Sequence, residues 1–298
     1  MKDSGVISVN KPKDWTSHDV VAKLRTAFGV KRIGHTGTLD PMATGVLPIC
    51  IGKATRMIEY YDEDIKSYHA TMKLGKTSDT LDITGQILSG YDFSQISEND
   101  ILRAFEAYTG WIEQIPPKFS AIRINGQRAY DLARQSQDFE IKARKVFIKD
   151  INVCSIDLCS GDISFDVWCS KGTYIRTICD DIGKSLGCGA IMTELCRTSS
   201  GVFTLEDSTD LQEILDMTDE EREALILPID KTLSNLGIAE LADDRVKFFL
   251  NGNETGRIGY SISKGGSVYR VYNKGLFLGT ASIDSKGELK ALKVVVDR

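Results

Sequence analysis

Histidine is the scarcest chemically versatile residue in this 298-residue chain, which has only His18, His35 and His69. That argues against a histidine-rich metal centre. Seven cysteines, at 50, 154, 159, 169, 179, 188 and 196, are odd in number and form no C-x-x-C pair. Their pattern argues against a zinc site or a disulfide framework and for reduced thiols in a cytoplasmic protein. No apolar run approaches membrane-spanning length, and the start MKDSGVISVNKP has no signal-peptide core. A glycine-rich dinucleotide loop and a serine elbow are also missing. GKT at 75–77 has Ala70 where a phosphate-binding loop needs its first glycine, so the cradle is incomplete. What is present, 42% hydrophobic and 27% charged residues, is an ordinary globular composition. The length suits a large domain with a small companion.

The net charge of −5 speaks against a polyanionic partner, but its distribution does not. Residues 1–60 carry nine Lys/Arg against five Asp/Glu, and 118–149 carry eight against three. The acid collects in 206–244, thirteen against two, which reads as a connector that masks two basic regions. Local potential, not the total, decides whether phosphate binds.

Short strands and helices alternate without a βαβ rhythm. GVISV (5–9), VLPICI (46–51) and SYHATMKLG (67–75) read as strands, and 53–61 as a helix. Thr16 and Asp19 form a capping box ahead of a helix with Val20, Val21, Leu24, Ala27 and Phe28 on one side. DISFDVWCS (162–170) turns Ile163, Phe165 and Val167 inward; past Gly172 a helix buries Ile175, Ile178, Cys179, Ile182 and Leu186. This predicts an α+β fold with a mixed, largely antiparallel central sheet. Segment 115–145 is basic, marked by Pro116-Pro117 and Asn125-Gly126, with Phe119 and Tyr130 between the cations. It suits an inserted arm laid on a polyanion. From about 237 the texture turns to short β runs between glycine turns, an all-β module.

Three residues stand out chemically. Asp40 lies in GHTGTLDPMATG (34–45), where Gly34, Gly37 and Gly45 permit unusual backbone angles and Pro41 biases Asp40 towards an extended shape. The plain alternative is an Asx turn whose carboxylate caps local amides. Tyr68, in KSYHATMKLG, is otherwise a core aromatic. Arg176, in SKGTYIRTI, falls in a first helical turn off the apolar stripe, where a surface pair with Asp180 is the plain reading.

These segments together resemble the bacterial TruB family of tRNA pseudouridine-55 synthases. GHTGTLDPMATG, Y-x-A-x-x-x-L-G-x-x-x-D-T-x-D-x-x-G (68–85) and SKGTYIRT (170–177) occur in order. NKP (10–12), IEQIPPKFSAIRINGQRAYDLAR (112–134) and L-x-R-T-x-S-G-x-F (195–203) match as well, so the resemblance covers nearly the whole chain. Cys196 and Ser199 stand where relatives often carry arginine, and Ser78 where threonine is usual.

The resemblance implies a pseudouridine synthase domain over 1–236, with an RNA-gripping arm at about 115–145, and a PUA-like RNA-binding module over 237–298. It implies Asp40 as the essential carboxylate, with Arg176 and Tyr68 beside it. Tyr174 and Leu195 would line the pocket, and His35 would fill the space a flipped base leaves. Arg123 and Arg128 would grip phosphate. The implied substrate is the T-arm of tRNA, acted on by a cytoplasmic monomer with no cofactor, metal, membrane or obligate protein partner. Two other classes compete: a non-catalytic RNA-binding or RNA-folding protein, and a small-molecule phosphotransferase.

Overall fold

The computed structural model describes residues 4–61, 65–120, 122–124, 126–135, 137–253, 255–256 and 259–296. Asn125 of the expected Asn-Gly turn lies outside them, as does the side chain of Arg128. The chain begins with β1 (Gly5–Lys11), α1 (Ser17–Phe28), β2 (Ile33–His35) and β3 (Thr44–Ile51). A 3-10 turn (Gly52–Met57) runs into α2 (Ile58–Tyr61), then β4 (Lys66–Leu74), β5 (Lys76–Ser78) and β6 (Ile87–Gly90). Next come α3 (Glu98–Glu106), β7 (Gly110–Gln114), the β8 (Arg123–Ile124) and β9 (Gln127–Arg128) hairpin, and α4 (Ala129–Arg134). β10 (Arg144–Asp157), β11 (Asp162–Cys169), α5 (Ile175–Ser185) and β12 (Ala190–Ser200) complete the centre. β13 (Phe203–Thr204), β14 (Thr209–Asp210), α6 (Leu211–Asp216), α7 (Asp219–Ala224) and α8 (Ile229–Thr232) follow. The chain closes with β15 (Gly237–Leu241), α9 (Asp243–Leu250), β16 (Tyr260–Lys264), β17 (Tyr269–Asn273), β18 (Leu276–Ile283) and β19 (Leu289–Val294).

The main sheet runs β14-β1-β3-β12-β4-β11-β10-β7, with β2 on β3 and β13 on β12. Its pairs are antiparallel except β1 with β14 and β3 with β12, the mixed sheet that the sequence predicts. Alternation decides which face is which. In β4, Tyr68, Ala70, Met72 and Leu74 are buried, whereas His69 is exposed and Thr71 and Lys73 are half-buried. In β11, Ile163, Phe165, Val167 and Cys169 turn to the same core. Helix α1 lays Val20, Val21, Leu24 and Phe28 on that core, and the Thr16–Asp19 capping box starts it. A cap of this kind is worth about 1 kcal/mol. In GKT at 75–77, Gly75 takes φ +79° between β4 and β5, and Lys76 and Thr77 belong to β5, with no helix following.

Two expectations need correction. The acidic stretch 206–244 is not a loose connector: Leu211, Ile214 and Ile226 enter the main core, and Ile229 and Leu233 a second cluster. The C-terminal module is not all-β, because DDRVKFFL folds as α9 with Asp243 and Asp244 in its first turn. Its five strands form the sheet β16-β15-β17-β18-β19. That sheet docks on the body through specific bonds. Tyr60 and Thr280 hydroxyls meet at 2.9 Å, Arg56 Nη1 donates to the Val294 carbonyl at 2.7 Å, and Arg270 Nη1 donates to the Asp230 carbonyl at 2.8 Å.

Candidate active site

The loop that carries Asp40 crosses from the end of β2 to the start of β3 and is held from three directions. Helix α1 fastens Leu39: its amide donates to Ser17 Oγ at 2.9 Å, and that hydroxyl donates to the Leu39 carbonyl at 3.3 Å. The Pro41 carbonyl accepts from the Asp14 amide at 2.8 Å and from Lys11 Nζ at 3.1 Å. Lys11 is fully buried and also donates to the carbonyls of Pro12 at 2.8 Å and Trp15 at 2.6 Å. Burial pushes the Lys11 ammonium down to about 8, and nearby Asp14 and Asp40 oppose that shift. From β12, Arg197 donates through Nε to the Val46 carbonyl at 2.6 Å and through Nη2 to the Gly37 carbonyl at 3.2 Å.

Of the three glycines expected to supply unusual angles, one does so. Gly45 takes φ +99°, and a Cβ there would lie 2.3 Å from the Arg197 carbonyl oxygen. Only glycine lets β3 approach β12 this closely. Gly34 and Gly37 keep negative φ.

The Asp40 carboxylate faces Arg176, not its own loop. Arg176 Nη2 lies 3.4 Å from Oδ1 and 3.3 Å from Oδ2. The same nitrogen donates to the Phe119 carbonyl at 2.8 Å, while Nη1 reaches Asp82 Oδ2 at 3.4 Å. The turn itself is closed by the backbone, the Ala43 amide donating to the Asp40 carbonyl at 3.0 Å. The surface pair between Arg176 and Asp180 does not form: Arg176 is 5% exposed, and Asp180 pairs with Lys184 instead. Asp82 is fixed in turn, its Oδ1 accepting from Thr80 Oγ1 at 2.7 Å, Thr84 Oγ1 at 2.6 Å and the Thr84 amide at 2.9 Å. Burial raises the Asp40 carboxyl above its ordinary value; Arg176 opposes the rise, Asp82 adds to it and Lys11 opposes it.

Two tyrosines share this surrounding. Tyr68 lies opposite Arg197 in the β4–β12 register, and Leu195 opposite Ala70, so both side chains sit on the sheet face of the loop. Burial raises the Tyr68 phenol; Arg197 lowers it and the Asp40 charge raises it further. Tyr174 precedes α5, where Gln114 clamps it: Nε2 donates to its carbonyl at 3.0 Å and Oε1 accepts from its amide at 2.8 Å. The Arg176 guanidinium lies 5.8 Å from the Tyr174 ring centre, and the Asp40 charge also acts on this phenol. His35 ends β2 with Nδ1 buried and without a hydrogen-bond partner. Burial first, then Arg197, lowers its pKa, which favours the neutral imidazole.

The structure therefore gathers Asp40, Arg176, Tyr68 and Tyr174, whereas Arg123 and Arg128 stand opposite one another on the separate β8–β9 hairpin. Arg123 is exposed there. Among the described residues, no trio of His, Cys or carboxylate donors able to hold a metal includes Asp40.

The model of the TruB family pseudouridylate synthase N-terminal domain matches residues 25–175. That of the tRNA pseudouridylate synthase B C-terminal domain matches 176–234. The chain belongs to the TruB family. Among curated relatives, tRNA pseudouridine synthase B of Clostridium perfringens (strain 13 / Type A) is 40% identical over 99% of each chain. Its counterpart in Clostridioides difficile (strain 630) is 42% identical over 97% of each. A solved Cbf5-Nop10-Gar1 complex contains a chain of the same fold, with TM-score 0.75 and 26% identity over 99% of this chain and 84% of that one.

Within this TruB-family chain, sequence reasoning missed four contributors to the Asp40 surroundings: Lys11, Asp82, Gln114 and Arg197. Each lies inside or beside a family segment, yet none stood out singly. Arg197 gave no local signal, because β12 also carries Glu194 and four Ser/Thr residues and nothing in that run marks the arginine as buried.

Proposed function

We propose that this chain isomerises uridine to pseudouridine in the T-loop of tRNA, at position 55, acting alone in the cytoplasm. Family membership supports the reaction, and the observation that carries the assignment of residues is the Asp40–Arg176–Asp82 line of charges, with Tyr68 close enough to feel the Asp40 charge. The reaction breaks the N1–C1′ bond, turns the uracil and joins C5 to C1′. The proton lost from C5 balances the one gained at N1, so nothing enters or leaves. A carboxylate serves such chemistry by adding to C1′ or C6, or by taking the C2′ proton.

Asp40 is the reacting group in this reading. Burial raises its carboxyl above the ordinary value, and the Arg176 guanidinium opposes that rise and so favours the anion that has to act. Tyr68 stacks on the extracted base and helps remove the C5 proton, while Tyr174 and Leu195 form the pocket walls. Leaving the RNA stack costs a few kcal/mol, on the order of what base-flipping enzymes meet, and His35 takes the vacated place. The 115–145 arm and the 237–298 module hold phosphate, with Arg123 and Arg128 on the hairpin. The Phe119 carbonyl that accepts from Arg176 belongs to the base of that arm, which links RNA grip to the reacting carboxylate.

The test is direct: incubate unmodified tRNA transcript with the protein and map pseudouridine. Product at position 55 without nucleotide or added zinc is expected. RNA binding with no product, or product only when ATP is supplied, overturns the reading in favour of a binding protein or a phosphotransferase.

A further inference from the structure

The face of the main sheet opposite Tyr68 carries a cluster that the isomerisation does not use. His69 follows Tyr68 in β4 and points to the other side. Asp166 of β11 is its direct partner in register, and His69 Nδ1 lies 2.8 Å from Asp166 Oδ1. Across β11, β10 loses register between Val153 and Ser155, and the irregularity places Cys154 beside the same carboxylate. Cys154 Sγ lies 3.3 Å from Asp166 Oδ2. One donor atom from each of His69, Cys154 and Asp166 falls within 4.8 Å of the other two.

We propose that His69, Cys154 and Asp166 bind a borderline-soft divalent transition-metal ion, with Zn²⁺ the best match. The donor set supports the choice: imidazole and thiolate favour zinc-like ions over magnesium or calcium, and a carboxylate completes common zinc sets. The geometry supports it too. Zn–S bonds of about 2.3 Å and Zn–N or Zn–O bonds of about 2.1 Å put tetrahedral ligands roughly 3.3–3.6 Å apart. The pairs at 2.8 and 3.3 Å lie at or just below that spacing and no pair exceeds 4.8 Å, a spread that small side-chain rotations cover with the three paired strands left in place. The cysteine thiol gives its proton to solvent when the ion binds, and the fourth position is left to water. No C-x-x-C spacing announces the site because each ligand comes from a different strand, 69, 154 and 166 along the chain. The ion bridges β4, β10 and β11 and serves as a brace on the sheet behind the reaction, not as a participant in it.

Co²⁺ makes the site visible. Titrating the reduced, metal-free full chain with Co²⁺ is expected to saturate at one ion per chain, with a sulfur-to-cobalt charge-transfer band that added Zn²⁺ abolishes. Cys154→Ser removes the band, His69→Ala weakens Co²⁺ binding by at least about tenfold, and Cys159→Ser, at another exposed thiol, changes neither. Zn²⁺ also raises the Tm of the parent chain and not that of Cys154→Ser. All three substitutions are at exposed positions or remove no core packing, and circular dichroism checks that each variant folds. Absence of saturable binding overturns the proposal. So does a charge-transfer band that survives Cys154→Ser, or a Co²⁺ affinity that His69→Ala leaves unchanged.

Discussion

Arg176 Nη2 sits 3.3 Å from Asp40 Oδ2 while its Nη1 sits 3.4 Å from Asp82 Oδ2, so one buried guanidinium bridges two carboxylates with different duties. Asp82 is saturated by threonine donors and 3% exposed in its side chain; Asp40 keeps 33% of its side chain open. The closed carboxylate holds the arginine in place, and under the proposed function the open one is the group that reacts.

Removing the guanidinium has a signed consequence for pH. Burial raises the Asp40 carboxyl and Arg176 holds it back. In Arg176→Gln that opposition is gone, the carboxyl rises further, and less of it is ionised at a given pH. The acid limb of kcat/KM, which reports the free enzyme, should move to higher pH, with a large fall in rate at neutrality and near-normal tRNA binding. A limb that stays put would show that Asp40 does not control it.

Asp82→Ala leaves Arg176 buried with a single carboxylate, the partly open Asp40, beside the Phe119 carbonyl. Breaking a buried ion pair costs about 3–5 kcal/mol when one charge is left behind, and Asp40 compensates part of it. A loss of stability of about 3 kcal/mol in urea unfolding, with a slowed single-turnover rate in the folded fraction, is expected. Unchanged stability would mean that Asp82 does not carry the arginine.

Gly45→Ala places a methyl carbon 2.3 Å from the Arg197 carbonyl at a φ of +99°. Strands β3 and β12 must separate, and with them the Arg197 bonds to Val46 and Gly37 that hold the Asp40 loop. The variant should lose more than about 2 kcal/mol and most of its turnover, whereas Gly37→Ala, with no contact under 3.5 Å, should be mild. Equal effects at the two glycines would contradict the geometry.

Grip and chemistry should separate on the hairpin. Replacing Arg123 and Arg128 together is expected to weaken tRNA binding and flatten its salt dependence by up to about two phosphates' worth of slope. Turnover at saturating tRNA should change little, because those contacts exist before and during the reaction alike. A collapse of the saturated rate would place the hairpin in the reacting site itself.

What the sequence conveyed and what it hid follow from the range of each signal. The alternation in β4 and β11 and the Thr16–Asp19 box are local, and they were legible. The plain surface-pair reading of Arg176 failed because helical spacing places it off the apolar stripe, yet α5 is buried nearly all round and its partners are 136 and 94 positions away. Charge counting hid the apolar side of 206–244, where Leu211, Ile214 and Ile229 are spaced among acids. In α9, Asp243 and Asp244 ahead of VKFFL were a helix-start signal that the surrounding β texture outweighed.

The most direct measurement is single-turnover pseudouridine formation by Asp40→Asn on unmodified tRNA, beside its tRNA affinity. Asparagine keeps the size of the side chain and removes the anion that Arg176 faces. The expected result is no detectable pseudouridine with affinity close to that of the parent, since phosphate contacts supply most of the binding. Product forming at a rate near the parent's would contradict the assignment of Asp40 as the reacting group.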